Sequence, residues 1–131
     1  MRILLFFLLF FSSVFEVQAQ HRIAAKLEQL YYQEHYSIVY RKSRKLMQKE
    51  ETKHLLEPRY YFAISGLQKS SNTFWLKRNK EKVEQLFEIL EKFKNDERGK
   101  QFLMAHSYEL FELEIYLHNL LRDLKQSKLK D

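Results

Sequence analysis

The 131-residue chain has no cysteine, one proline and two glycines. Without cysteine no disulfide can hold it and no thiolate can act as nucleophile or metal ligand. So few glycines and prolines leave too little turn punctuation for a strand-rich fold, which needs a reversal every few residues. The same scarcity removes the Gly-rich phosphate loop and the Gly-flanked nucleophilic serine. Leu, Lys, Glu, Gln and Phe dominate what is left, and that composition predicts an all-α fold.

The chain opens MRILLFFLLFFSSVFEVQA, with Arg2 before an unbroken apolar run from Ile3 to Phe11 and small-residue spacing at Val17-Gln18-Ala19. This pattern predicts a secretory signal peptide over residues 1–19, and hence a secreted or periplasmic protein. The apolar run is shorter than the roughly 20 residues a spanning helix needs, and no transmembrane segment is expected after its removal. The cut removes one charge of each sign, Arg2 and Glu16, so the net charge of +6 survives it. Residues 20–125 are expected to form a single α-helical domain, followed by a polar tail over 126–131.

Along that domain apolar residues recur at helical spacing. Ile23, Leu27, Leu30 and Tyr31 mark a first helix, and the pattern pauses at Gln33–His35. Ile38, Val39, Leu46 and Met47 mark a second from Ser37 to about Thr52, with Ser37 as its cap. Pro58 opens a third, where a missing N–H costs nothing. Ser70-Ser71-Asn72 forms a turn, Phe74-Trp75-Leu76 a compact apolar plug, and Val83, Leu86, Phe87, Leu90 and Phe93 an amphipathic helix ending near Asn95. NDERG, residues 95–99, reads as a loop.

A long C-terminal helix then carries Leu103, His106, Leu110, Leu113, Leu117, Leu120 and Leu124 on one stripe. A second stripe of Met104, Tyr108, Phe111 and Ile115 implies burial on a further side or another partner. Trp75, Leu86, Leu90, Leu110, Leu113 and Leu117 are expected to share the core.

The order of paired helices closed by Pro58, with Tyr32, Gln33 and Tyr36 at the helix crossing and PRYYFAISGLQKSSN opening a second pair, resembles the tetratricopeptide (TPR) repeat over roughly residues 22–93. Gln33 stands where that family has glycine. The layout is also similar to short helical modules of secreted proteins from Bacteroidetes-type bacteria. The TPR resemblance implies about two antiparallel helical hairpins and a non-catalytic role in protein–protein interaction or scaffolding. An extended peptide or another helix would lie on a concave face lined by Tyr31, Tyr60, Tyr61 and nearby basic residues, Arg41, Lys45 and Lys49.

Catalytic and metal chemistry find little footing. Glu51 and His54, His106 and Glu109, and Glu114 and His118 have helical spacings, but a di-iron bundle needs a second Glu-x-x-His and further carboxylates that are missing. No enzyme activity, cofactor or metal is expected. The remaining feature is charge. Arg41, Lys45 and Lys49 recur at i, i+4, i+8 beside Lys42 and Lys53, a basic stripe read first as a solvated face. The alternative function is binding of anionic envelope components, either lipid head groups or polyanionic polymers. A role as accessory domain of a neighbouring secreted enzyme is a further alternative. Nucleic acid is disfavoured by the export signal and the lack of a base-reading motif.

Overall fold

A computed structural model of the chain describes residues 2–128, apart from the side chains at 2, 3, 6, 117, 121, 124, 125, 127 and 128. It is all-α. Seven helices and no strand occur among the described residues: α1 (Arg2–Tyr32), α2 (Tyr36–Gln48), α3 (Leu56–Lys69), α4 (Thr73–Arg78), α5 (Lys80–Asn95), α6 (Glu97–Ala105) and α7 (Ser107–Lys128). The chain divides into two compact units, Met1–Phe62 and Ala63–Asp131.

In the first unit, α1 and α2 pack against each other through a three-residue reversal. The His35 amide donates to the Leu30 carbonyl at 3.0 Å and the Glu34 amide to that of Tyr31 at 2.9 Å, while Glu34 takes the left-handed conformation at φ 61°. This is a Schellman ending, in which the left-handed position usually belongs to glycine. Glu34 fills it in a glycine-poor chain. The α2 N-cap is His35, whose carbonyl accepts from Ile38 and Val39. Ser37 therefore lies inside the first turn and does not cap it.

Tyr31 sits at the centre of the packing, with its ring 5.2 Å from Tyr36 and 5.8 Å from Tyr61, and Tyr61 in turn 5.1 Å from Tyr60. Leu27, Leu30, Val39 and Leu55 are buried as well. Tyr32, expected at the helix crossing, is exposed, because it lies one position past the inward-facing Tyr31. Apolar side chains between Leu4 and Val17 are exposed, yet no helix among the described residues is long and apolar enough to cross a membrane.

In the second unit, Asn72 caps α4 by accepting from the Trp75 amide at 3.0 Å. Asn79 donates from its side chain to the Trp75 carbonyl. The expected apolar plug is not core: Phe74 is exposed and Trp75 half-buried. Six residues are too few to lay a continuous apolar face on a neighbour, and cations cover these rings instead, Arg78 over Phe74 at 4.4 Å and Lys69 over Trp75 at 5.2 Å.

The core runs along α5, where Val83, Leu86, Leu90 and Phe93 are buried, and onto Leu113 and Leu120 of α7. Leu110 is half-buried, and Leu117 and Leu124 lie outside the described side chains.

The stretch expected as a loop is instead a one-residue joint. Asp96 ends α5 and caps α6, its carboxylate accepting from the Gly99 amide at 2.9 Å. So tight a reversal brings α6 down on the end of α5. A Cβ at Gly99 would lie 2.7 Å from the Phe93 Cα and 2.9 Å from its carbonyl carbon. The expected single C-terminal helix is also interrupted at His106, whose ring stacks on Phe102 at 4.4 Å and whose Nδ1 lies 3.4 Å from the buried Glu109 carboxylate. α7 extends through Gln126 to Lys128, so the first part of the expected tail is helical, and residues 129–131 lie outside the described residues.

Two substitutions test these joints. Glu34→Gly should raise stability by about 0.5–1 kcal/mol, because relief of roughly 1–2 kcal/mol of left-handed strain outweighs the extra unfolded-state entropy of glycine. A lower melting temperature would contradict the strained reversal. Gly99→Ala should lower stability by about 1–3 kcal/mol, since the overlap is with rigid backbone and exceeds the helix-propensity gain of about 1 kcal/mol. Denaturant titration reads both, and an unchanged midpoint for Gly99→Ala would show that the joint can open without cost.

Candidate functional site

The α1–α2 reversal brings residues distant in sequence onto one face. On α1, Arg22 and Lys26 stand one turn apart with Ile23 and Leu27 beside them. On α2 and its C-cap, Lys42, Lys45 and Lys49 recur at i, i+3, i+7 around Leu46. Because the helices run antiparallel, these two sets face each other across an open groove of about 360 Å³. Its floor is apolar, made of Ile23, Leu27 and Leu46, and its rim holds five cations and no carboxylate.

Among the described residues none of the five makes a salt bridge. The nearby acid of the following turn is engaged elsewhere, Glu50 bonding to Lys53 at 2.6 Å. Helix neighbours three or four apart stand about 5–6 Å apart at Cβ, inside the Debye length of about 8 Å at physiological salt. The cations therefore repel one another and sum to a positive potential over the groove.

The chain after α2 is held down where Lys49 sits. Buried Thr52 donates its hydroxyl to the Leu46 carbonyl at 2.6 Å, and Arg59 donates to the Lys53 carbonyl at 2.9 Å. Tyr40, stacked on Phe62 at 4.6 Å, is kept neutral: burial pushes its phenol above the ordinary range, with Arg44 pulling it partly back. It adds no negative charge to this helix at physiological pH.

The structure divides the sequence-derived site residues. Lys45 and Lys49 line the groove, whereas Arg41 is exposed but does not line it. Lys42 takes its place, since one residue along a helix turns the side chain by about 100°. Tyr31, Tyr60 and Tyr61 present no surface to a partner. They are 6%, 0% and 1% exposed, because they fill the space inside the first unit that a glycine-free reversal leaves between the helices. Arg22 and Lys26 did not figure in the sequence reading, although their i, i+4 spacing next to Ile23 and Leu27 is visible there.

Elsewhere, Glu51 and His54 are both exposed in the turn after α2. No group of three His, Cys, Asp or Glu able to hold a metal occurs among the described residues. The second unit has a larger groove of about 590 Å³ over Phe87, Leu90, Leu103 and Leu110. It carries both signs of charge, and its Lys94 is already paired with Glu91 at 2.9 Å.

Replacing Lys42, Lys45 and Lys49 with Gln should leave the fold intact and raise the melting temperature slightly at low salt, because exposed unpaired cations contribute repulsion and no compensating bond. That difference should vanish in about 0.5 M salt, where the Debye length is only a few ångströms. A large loss of stability in the triple variant would mean that the lysine stems hold α2 on α1. No protein family, curated protein or solved structure matches the chain.

Proposed function

We propose that this is an exported, non-catalytic helical module that binds anionic lipid through the groove between α1 and α2. The observation that carries the reading is the combination of five cations, none in a salt bridge among the described residues, with an apolar floor. A polyanionic polymer needs the charge but has no use for Ile23, Leu27 and Leu46. A lipid uses both, its head group among the cations and the first part of its chain on the floor. A volume of about 360 Å³ suits one chain segment, not a folded partner.

Export is supported by the N-terminal half of α1, where the described large apolar side chains between Leu4 and Val17, such as Leu5, Phe7 and Phe10, are exposed. Such a segment contributes nothing to the core and reads as a targeting signal. Cleavage after Ala19 leaves Arg22, Ile23, Lys26 and Leu27 in place, so the groove survives processing. The α1–α2 pair then stands as a TPR-like hairpin that uses its outer basic face and keeps its tyrosines inside. A second reading, recruitment of a protein partner, is favoured by one observation only, the exposed apolar face of α6 and α7.

Flotation with phosphatidylglycerol-containing vesicles, pure phosphatidylcholine vesicles and long-chain polyphosphate separates these readings. Binding to the anionic vesicles should weaken with salt yet keep a measurable remnant at about 0.5 M, where the surviving term is apolar contact. Polyphosphate binding should be abolished there. The Lys42, Lys45 and Lys49→Gln variant should lose at least tenfold in vesicle affinity, and its comparison with wild type cancels any contribution from the N-terminal segment. Equal flotation of wild type and variant would sink the proposal. Stronger, fully salt-sensitive retention by polyphosphate would replace lipid with a polymer.

A further inference from the structure

The Phe74-Trp75 motif, which the core does not absorb, lies in a basic stretch of the second unit. Residues 69–82 hold five cations, Lys69, Lys77, Arg78, Lys80 and Lys82, against one acid, Glu81. Phe74 is 66% exposed and Trp75 half-buried. Lys77 and Arg78 stand three and four residues after Phe74 and share its side of α4, and the Arg78 guanidinium lies over its ring at 4.4 Å. Lys69 lies over the Trp75 ring at 5.2 Å. Among the described residues Lys77, Arg78, Lys80 and Lys82 enter no salt bridge.

The backbone that carries the two rings is clamped from both sides. The Asn72 side chain accepts from the Trp75 amide at 3.0 Å, and the Asn79 side chain donates to the Trp75 carbonyl at 2.7 Å. The rings are therefore presented in a fixed place, and a partner spends little on ordering them. We propose that α4 docks the protein on an anionic lipid bilayer, with Phe74 and the exposed part of Trp75 at the level of the head groups and Lys77, Arg78 and Lys80 at the phosphates.

Each part suits the boundary between water and lipid. Tryptophan favours that depth, phenylalanine supplies an apolar wedge, and long basic side chains keep their charge at the phosphates while their stems follow the rings downward. Other partners fit less well. A folded protein needs roughly 800 Å² of buried surface on each side, and one ring with part of a second is too small an apolar centre for that. A nucleic acid needs open ring faces on which its bases stack, and here Arg78 and Lys69 lie over the rings. The contact belongs to the second unit and stands whether or not the α1–α2 groove holds lipid.

Trp75 is the one tryptophan of the chain, so its fluorescence reads this contact directly. Titrating the full chain with phosphatidylglycerol-containing vesicles should shift the emission to shorter wavelength, and lipids brominated near the head-group end of their chains should quench it. Pure phosphatidylcholine vesicles should do neither. Phe74→Ser should raise the lipid concentration needed for half the change, and the pair Lys77→Gln with Arg78→Gln should raise it by at least about tenfold. The melting curves of these variants should match wild type, as expected for exposed positions. When bound, the Lys42, Lys45 and Lys49→Gln variant should be quenched as wild type is, which keeps this contact separate from the groove.

Anionic vesicles that carry the protein in flotation yet leave the Trp75 emission unaltered would overturn the proposal, and would assign the contact to the groove or to the apolar side chains between Leu4 and Val17. A protein that binds no vesicle at all would overturn it too, as would an equal shift on phosphatidylcholine, since the cations would then have no part. Quenching by a single-stranded oligonucleotide but not by vesicles would transfer the patch from lipid to nucleic acid.

Discussion

The reversal at residues 33–35 is the constraint on which the first unit depends. With three residues between helices, α2 must return directly along α1, and the bonds from His35 to Leu30 and from Glu34 to Tyr31 fix its direction. The direction decides which faces meet. Tyr31 is driven inward against Tyr36 and Tyr61, and the outer side of the same pair brings Arg22 and Lys26 across from Lys42, Lys45 and Lys49. Core and groove are two sides of one geometric decision. It is made with Glu34 in a conformation that costs an ordinary residue roughly 1–2 kcal/mol, and the aromatic packing that the reversal permits must offset that strain.

The second unit meets the same shortage of glycine differently. Its one critical glycine, Gly99, is spent on the approach of α6 to Phe93, where any side chain would strike backbone. From there packing passes through Phe93 to Phe102, 5.7 Å away, then to His106 and on to the buried Glu109. No disulfide supports this path. The buried Glu109 carboxylate lies 3.4 Å from the His106 Nδ1 at the place where α6 gives way to α7, so a buried polar group there has a polar neighbour.

Long periodic stretches were legible in the sequence. α5 follows its apolar spacing almost residue for residue, and the pauses at Gln33 and Ser70 mark true helix ends, since periodicity over three or more turns leaves one consistent face. What escaped were events decided by a single residue or by tertiary contact. One capping carboxylate, Asp96, turned an apparent loop into the start of α6. Trp75 looked like core by composition, but α4 is too short to bury it.

The basic site was half legible for a related reason. Lys45 and Lys49 follow from spacing on one helix, but choosing Lys42 over Arg41 needs the helix rotation, and adding Arg22 and Lys26 needs to know which face of α1 meets α2. The tyrosines misled because an aromatic at a helix crossing and an aromatic on a binding face leave the same trace in a sequence.

The arrangement of charge is the most informative residue-level choice in the chain. Elsewhere some of its cations are matched within a turn: Lys53 with Glu50, Lys94 with Glu91, Lys100 with Glu97. The α1–α2 groove gathers five cations with no acid on the rim. Such a cluster lowers stability through mutual repulsion, and mixed charge would have served solubility equally well. Substituting Glu at position 45 or 49 would give α2 acid–base neighbours a turn apart, as Lys94 has with Glu91 on α5 and Lys100 with Glu97 on α6. On the proposed lipid reading, the missing counter-charge arrives from outside, on a molecule apolar enough to cover Ile23, Leu27 and Leu46.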